Sequence, residues 1–193
     1  MAWGFFHEIG RKFIHITILI VLVMYNFIQN SYGKQLALLS LVALLIIFLI
    51  LEYFRLELGW KMPFFSQFIR PKEQNRMYGV IYFLSATIIS LAVFDYNIAL
   101  TALLMTTFGD MVAALVGKRY GTTLIYRNKT WAGFLAELGI NLIVGFMILD
   151  SIYAILGMAF VATIVETMVD ELDDNLLIPI FSGFAGQIIL FSL

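Results

Sequence analysis

Seven apolar runs take up most of this chain, at 13–29, 36–54, 77–94, 98–117, 131–149, 152–169 and 176–193. Each approaches the ~20 residues that a helix needs to cross a ~30 Å hydrocarbon layer. The chain is 62% hydrophobic and 13% charged, against roughly 45–50% and 25% in soluble domains. These runs predict an all-α, polytopic membrane helix bundle of about seven transmembrane helices. With 193 residues mostly consumed by spans, three prolines and no low-complexity tract, residues 1–193 read as a single integral membrane domain. The first run follows Arg11 and Lys12 as a signal peptide would, but Asn26, Gln29 and Asn30 offer no small-residue cleavage site, so it reads as a mature helix. The absence of cysteine excludes disulfides, thiolate chemistry and cysteine-based zinc sites.

Placing the N-terminus inside puts eleven of the twelve Lys and Arg residues on the cytoplasmic side and only Lys34 outside, as the bias of inner loops towards positive charge requires. The outer turns, near Gly33, Asp95 and Asp150, are short and plain. The cytoplasmic face is therefore where chemistry is expected.

Five constellations gather there. Glu8, Arg11, Lys12 and His15 fall at i, i+3, i+4 and i+7, one helix face entering the membrane; a basic anchor would account for the charges, and their alignment with His15 suggests more. Glu52 and Arg55, at i and i+3, form a second acid–base pair at the end of the second run. Asp110 lies about two turns inside the end of the fourth, where an ionised carboxylate costs at least ~2.5–3.5 kcal/mol at mid-helix and less near the ends. Ala113, Ala114 and Gly117 beside it allow a helix or a ligand to come close. The loop from Gly117, Lys118, Arg119 and Gly121 to Lys129, Thr130 and Gly133 combines glycines, cations and a helix start, the makeup of a phosphate site. Thr130 is placed to cap the fifth helix, whose first N–H groups would face an anion.

The fifth constellation is acidic. From Glu166 to Asn175 the chain carries five carboxylates and no Lys or Arg. Asn175 can cap the last helix, with Asp173 and Asp174 favouring its positive end. Glu166 and Asp170, and Asp170 and Asp174, are i, i+4 pairs of like charge that repel unless a cation lies between them. Pro179 has no N–H for the carbonyl of Asn175, leaving a further hard oxygen for a metal such as Mg²⁺. Glu137, two turns into the fifth run, adds an intramembrane acid. No P-loop or protein-kinase signature is present.

Taken together, Glu8-x-x-Arg11-Lys12-x-x-His15, Glu52-x-x-Arg55, Gly109-Asp110-x-x-Ala113-Ala114-x-x-Gly117-x-x-x-Gly121, Lys129-Thr130-x-x-Gly133 and Glu166 followed by Asp173-Asp174-Asn175-x-x-x-Pro179 resemble the dolichol, polyprenol and phytol kinase family. The resemblance runs from Glu8 to Pro179. It implies a membrane kinase that phosphorylates a lipid alcohol with CTP, and kinship with phosphatidate cytidylyltransferases. Ala132 stands where that family often has a Glu, and Glu137 is the nearby acid that could take its place. The expected reaction is phosphoryl transfer from a nucleoside triphosphate, CTP by resemblance, to a polyprenol, a shorter isoprenoid alcohol or diacylglycerol at the cytoplasmic face. Asp110, Glu166, Asp173, Asp174 and Asn175 are expected to hold Mg²⁺. Arg11, Lys12, Lys118, Arg119 and Lys129, with Gly117, Gly121, Thr130 and Gly133, are expected to bind the nucleotide. Asp110 or His15 accepts the alcohol proton, with Glu137 in the same polar pocket. Nothing points to nucleic acid, and the oligomeric state is left open. A cytidylyltransferase acting on a lipid phosphate needs the same parts; a small transporter would place its charges near the midplane instead.

Overall fold

The computed structural model describes residues 18–59, 77–169 and 172–192. Among these described residues seven helices follow the seven apolar runs: α1 (Ile18–Tyr32), α2 (Lys34–Glu57), α3 (Gly79–Val93), α4 (Tyr96–Tyr120), α5 (Trp131–Ile148), α6 (Ile152–Met168) and α7 (Asp174–Ser192). Between α4 and α5 lies a short antiparallel ribbon, β1 (Leu124–Tyr126) with β2 (Lys129–Thr130). Four of the helices, α2, α4, α5 and α7, are long and apolar enough to cross a membrane, while α1, α3 and α6 are apolar but shorter. Large apolar side chains such as Ile46, Ile50, Phe146, Phe160 and Phe191 point outwards, a surface that suits lipid rather than water. This is an integral membrane protein.

The chain divides into two compact units, 1–88 and 89–193. In the first, α1 and α2 meet at Gly33, whose φ of 94° suits a residue without Cβ. The end of α2 is tied to the start of α3 through a buried acid. Glu52 Oε2 accepts from Arg55 Nε at 2.8 Å, Oε1 from Arg55 Nη2 at 2.6 Å, and Oε1 also from the Tyr78 backbone N–H at 3.0 Å. The Arg55 guanidinium lies 4.0 Å from the centre of the Tyr78 ring. The i, i+3 pair expected from sequence is thus a bidentate, desolvated clamp.

In the second unit α4 packs on α5, α5 on α6, α6 on α7 and α7 back on α4. Hydroxyls inside this ring bond to carbonyls one turn back, as Thr106 Oγ1 does to Ala102 and Thr163 Oγ1 to Ala159, each at 2.8 Å. That satisfies polar atoms where no water is available. At one end, Gln187 of α7 donates to Asp95 Oδ2 at 2.9 Å and accepts from the Asp95 N–H at 2.8 Å. A recess of about 400 Å³ there is bordered by Asp95, Leu149, Asp150 and Leu190. The ends of α4 and α6 and the starts of α5 and α7 share the opposite end, where Asp110, Lys118, Lys129, Glu137 and Glu166 border one cavity.

Candidate active site

Helix α5 carries a stripe at four-residue spacing, Gly133, Glu137, Asn141 and Gly145, and all four are buried. Four residues make slightly more than one turn, so the stripe stays on one face. Its upper part meets α4 closely. A Cβ on Gly133 would stand 3.0 Å from the Ala113 carbonyl oxygen and 3.5 Å from Gly117 Cα. The small residues expected to let a helix or a ligand come close here let two helices touch.

Below that contact a cavity of about 240 Å³ opens between α4, β2, α5 and α6. Three acids from three helices border it: Asp110 of α4, Glu137 of α5 and Glu166 of α6. Lys118, Lys129 and Thr130 close the side nearer the ribbon. Glu137 and Glu166 are each only 2% exposed. The Lys129 ammonium donates to Glu166 Oε1, while Glu166 Oε2 is buried and has no hydrogen-bond partner among the described residues. Lys129 itself keeps about 40% of its side chain exposed, so its stem enters from the outside and only its head reaches the buried acid. Burial alone would depress the Lys129 pKa. The neighbouring carboxylates, Glu166 first and then Asp174 and Asp110, outweigh it and hold the ammonium above its ordinary value.

The sequence-derived residues divide around this cavity. Asp110, Gly117, Lys118, Lys129, Thr130, Gly133, Glu137 and Glu166 all line it. Lys118 and Arg119, expected in a loop, instead form the last turn of α4, where cations suit the negative end of the helix. Arg119 turns aside, its Nε donating to the Tyr120 hydroxyl at 3.2 Å. Gly121 ends α4, its N–H donating to the Gly117 carbonyl at 3.0 Å. Thr130 caps α5 as expected, accepting from the Gly133 N–H at 3.2 Å. The Trp131 N–H donates to the Thr123 carbonyl. Two donors expected to face an anion are therefore already used within the chain.

The acidic connection is corrected in one respect. Helix α7 starts at Asp174, so Asn175 lies inside it and Asp173 is the capping residue. Asp173 Oδ1 accepts from the Asn175 N–H at 3.1 Å and from Asn175 Nδ2 at 2.8 Å, and its carbonyl accepts from Leu176 and Leu177. Asp174 also accepts from the Asn175 N–H, at 3.0 Å. Asp173 and Asn175 thus serve the helix start, while Asp174 acts on Lys129 through its charge. Among the described residues no group of three His, Asp or Glu converges as a ready metal cage. Arg11, Lys12, His15 and Asp170 lie outside the described residues.

Curated proteins similar to the chain share one description. It is 31% identical over 147 residues to CTP-dependent diacylglycerol kinase 1 of Saccharomyces cerevisiae, a match covering 71% of this chain and 49% of that protein. The protein of the same name from Schizosaccharomyces pombe is 27% identical over 208 aligned positions, covering 94% of this chain and 93% of its own length. The chain is a relative of the CTP-dependent diacylglycerol kinases. A third such kinase, from Eremothecium gossypii, is 29% identical over 144 residues, covering 71% of this chain and 44% of its own. The chain thus spans about half the length of the Saccharomyces and Eremothecium kinases and nearly all of the Schizosaccharomyces one. No protein-family model matches it. No solved structure matches it either.

The site also contains residues that sequence reasoning passed over. Phe134, Asn128 and Thr167 border the cavity. Asn141 lies one turn beyond Glu137, with Nδ2 donating to Thr163 Oγ1 at 3.1 Å and Oδ1 buried without a partner among the described residues. Its signal was available, since Asn141 stands at i+4 from Glu137 in an otherwise apolar run.

Proposed function

We propose that the chain transfers the terminal phosphoryl group of CTP to the hydroxyl of a membrane lipid alcohol, with diacylglycerol as the first acceptor to test. The observation that carries this reading is the cavity in which Asp110, Glu137 and Glu166 meet the Lys129 ammonium, in a relative of CTP-dependent diacylglycerol kinases. Phosphoryl transfer demands mainly positioning and charge neutralisation, and this cavity offers both signs of charge. The charge distribution supports a cytoplasmic site, an internal N-terminus and seven passes, with both compact units acting as one domain.

The site's chemistry suits a magnesium ion. Glu166 Oε2 is a buried oxygen without a partner, and the remaining donors are hard carboxylate oxygens of the kind Mg²⁺ takes. Asp110 and Glu166, which border the cavity, would hold the ion with the triphosphate oxygens completing its shell, Asp174 adding negative charge nearby; when bound it would neutralise charge on the triphosphate. Lys129 and Lys118 bind phosphate oxygens. The acceptor hydroxyl reaches the cavity from among the apolar helices, and the Asp110 carboxylate takes its proton as the oxygen–phosphorus bond forms. The bond from the terminal phosphorus to its bridging oxygen breaks, and CDP leaves.

The test is a purified preparation in detergent micelles containing diacylglycerol, supplied with CTP labelled either on the terminal phosphate or in the base. Terminal label appearing in phosphatidate is the expected result. Base label entering lipid from added phosphatidate would instead identify a cytidylyltransferase, and no labelled lipid from either donor would reject both. Prenols of several lengths in parallel define the acceptor.

A further inference from the structure

Glu166 is a buried carboxylate with one oxygen joined to Lys129 and the other without a partner among the described residues. Asp110 and Glu137 border the same cavity, and Asp174 adds its charge. Such a group of acids calls for a cation, and the Lys129 ammonium is the cation in contact with Glu166. We propose that Lys129 is a tethered stand-in for the divalent ion: its ammonium fills the cation position at Glu166, and it moves to the triphosphate when nucleotide arrives, leaving Glu166 open to the metal. This rests on the nucleotide-dependent reading above and extends it to the order in which the site is filled.

Three features support an exchange over a fixed ion pair. Lys129 enters from the ribbon with much of its side chain exposed, so withdrawing the head drags no packed core with it. Its four-carbon stem is flexible and its ammonium is a compact point charge. The unpartnered oxygen of Glu166 is also a vacant acceptor that a lysine already engaged on Oε1 leaves unused. With Lys129 in place, metal alone meets an occupied site. When the triphosphate draws the ammonium away, metal and nucleotide enter together, which guards against a carboxylate cluster loaded with metal but no donor.

Binding of Mn²⁺ to the purified full chain, read from the loss of the free-ion electron paramagnetic resonance signal without nucleotide, tests this. Lys129→Met is expected to bind Mn²⁺ about tenfold more tightly than the wild type, within the ~5–150-fold span of coupled sites. Lys129→Met combined with Glu166→Gln should lose that gain. Lys129→Arg, which holds the carboxylate with a fork of donors, should bind Mn²⁺ more weakly than the wild type, and it serves as the readout if the Met variant does not fold. Unchanged Mn²⁺ affinity in the folded variants, or a gain that survives in the double variant, overturns the proposal. If the wild type phosphorylates diacylglycerol and Lys129 substitutions leave Mn²⁺ binding unchanged, this inference fails while the kinase reading stands. If Mn²⁺ binding behaves as expected without any transfer, the reverse holds.

Discussion

Gly109 of α4 and Asn141 of α5 are fitted to each other: a Cβ on Gly109 would stand 2.8 Å from Asn141 Oδ1 and 3.3 Å from Glu137 Cγ. Hydrogen at position 109 is what allows an amide and an acid to occupy the α4–α5 seam next to Asp110. Gly109→Ala should therefore lower stability by about 1–3 kcal/mol through overpacking. Gly139, where an added Cβ meets nothing within 4 Å, should gain up to about 1 kcal/mol from the same change. Unfolding in a graded detergent series distinguishes the two, and equal effects would contradict the fitted seam.

Asp110→Asn and Asp174→Asn should each reduce phosphoryl transfer on the order of a hundredfold or more, the scale of losing one group that stabilises charge in a transition state. Both proteins should elute and melt like the wild type. Near-normal turnover in both would remove the carboxylates from the proposed chemistry.

Arg55→Met strips Glu52 of its bidentate partner while leaving the carboxylate buried. The expected loss is about 3–5 kcal/mol, as for other broken buried pairs. Glu52→Gln, which keeps an acceptor for the Tyr78 N–H, should cost less. Thermal unfolding of the two variants side by side checks the order, and a milder Arg55 variant would show that the clamp is held by something other than charge.

The pH dependence of Lys129 has a definite sign. Its folded pKa is raised because Glu166, Asp174 and Asp110 outweigh the effect of burial, so its stabilising contribution is complete below the ordinary value of 10.5. The contribution disappears as pH rises through the higher folded value. From about pH 10 upwards the wild type should lose more stability than Lys129→Met. Melting temperatures recorded across that range provide the check, and parallel curves would refute the coupling.

The helices were legible because long apolar runs announce themselves, and among the described residues each of the seven runs contains a helix, four of them long and apolar enough to cross a membrane. Asp110, Glu137 and Glu166 were legible for a related reason, since an acid in an apolar run stands out against its neighbours. Asn141 was legible only as a polar residue at i+4 from Glu137; its fit to Gly109 was not, because that depends on a glycine of another helix. The ribbon at 124–130 escaped notice because five residues of strand carry too little pattern, and its turn depends on Arg127 adopting a φ of 48°, which the residue type does not advertise. Asn175 and Asp173 are both good caps, and the choice between them depended on where α7 begins.

The ribbon has a consequence for how this chain can diverge. Lys129 and Thr130 are consecutive residues of β2, one engaging Glu166 and the other capping α5, so the spacing between the ammonium and the helix start is fixed at a single peptide unit. Insertions at the Arg127–Asn128 turn would lengthen the tip of the ribbon and leave that spacing untouched. One residue gained or lost between Lys129 and Thr130 would put the two out of step. Length variation among functional descendants should therefore accumulate at the tip and be absent from the 129–130 step, making the ribbon a measuring device whose free end is expendable and whose root is not.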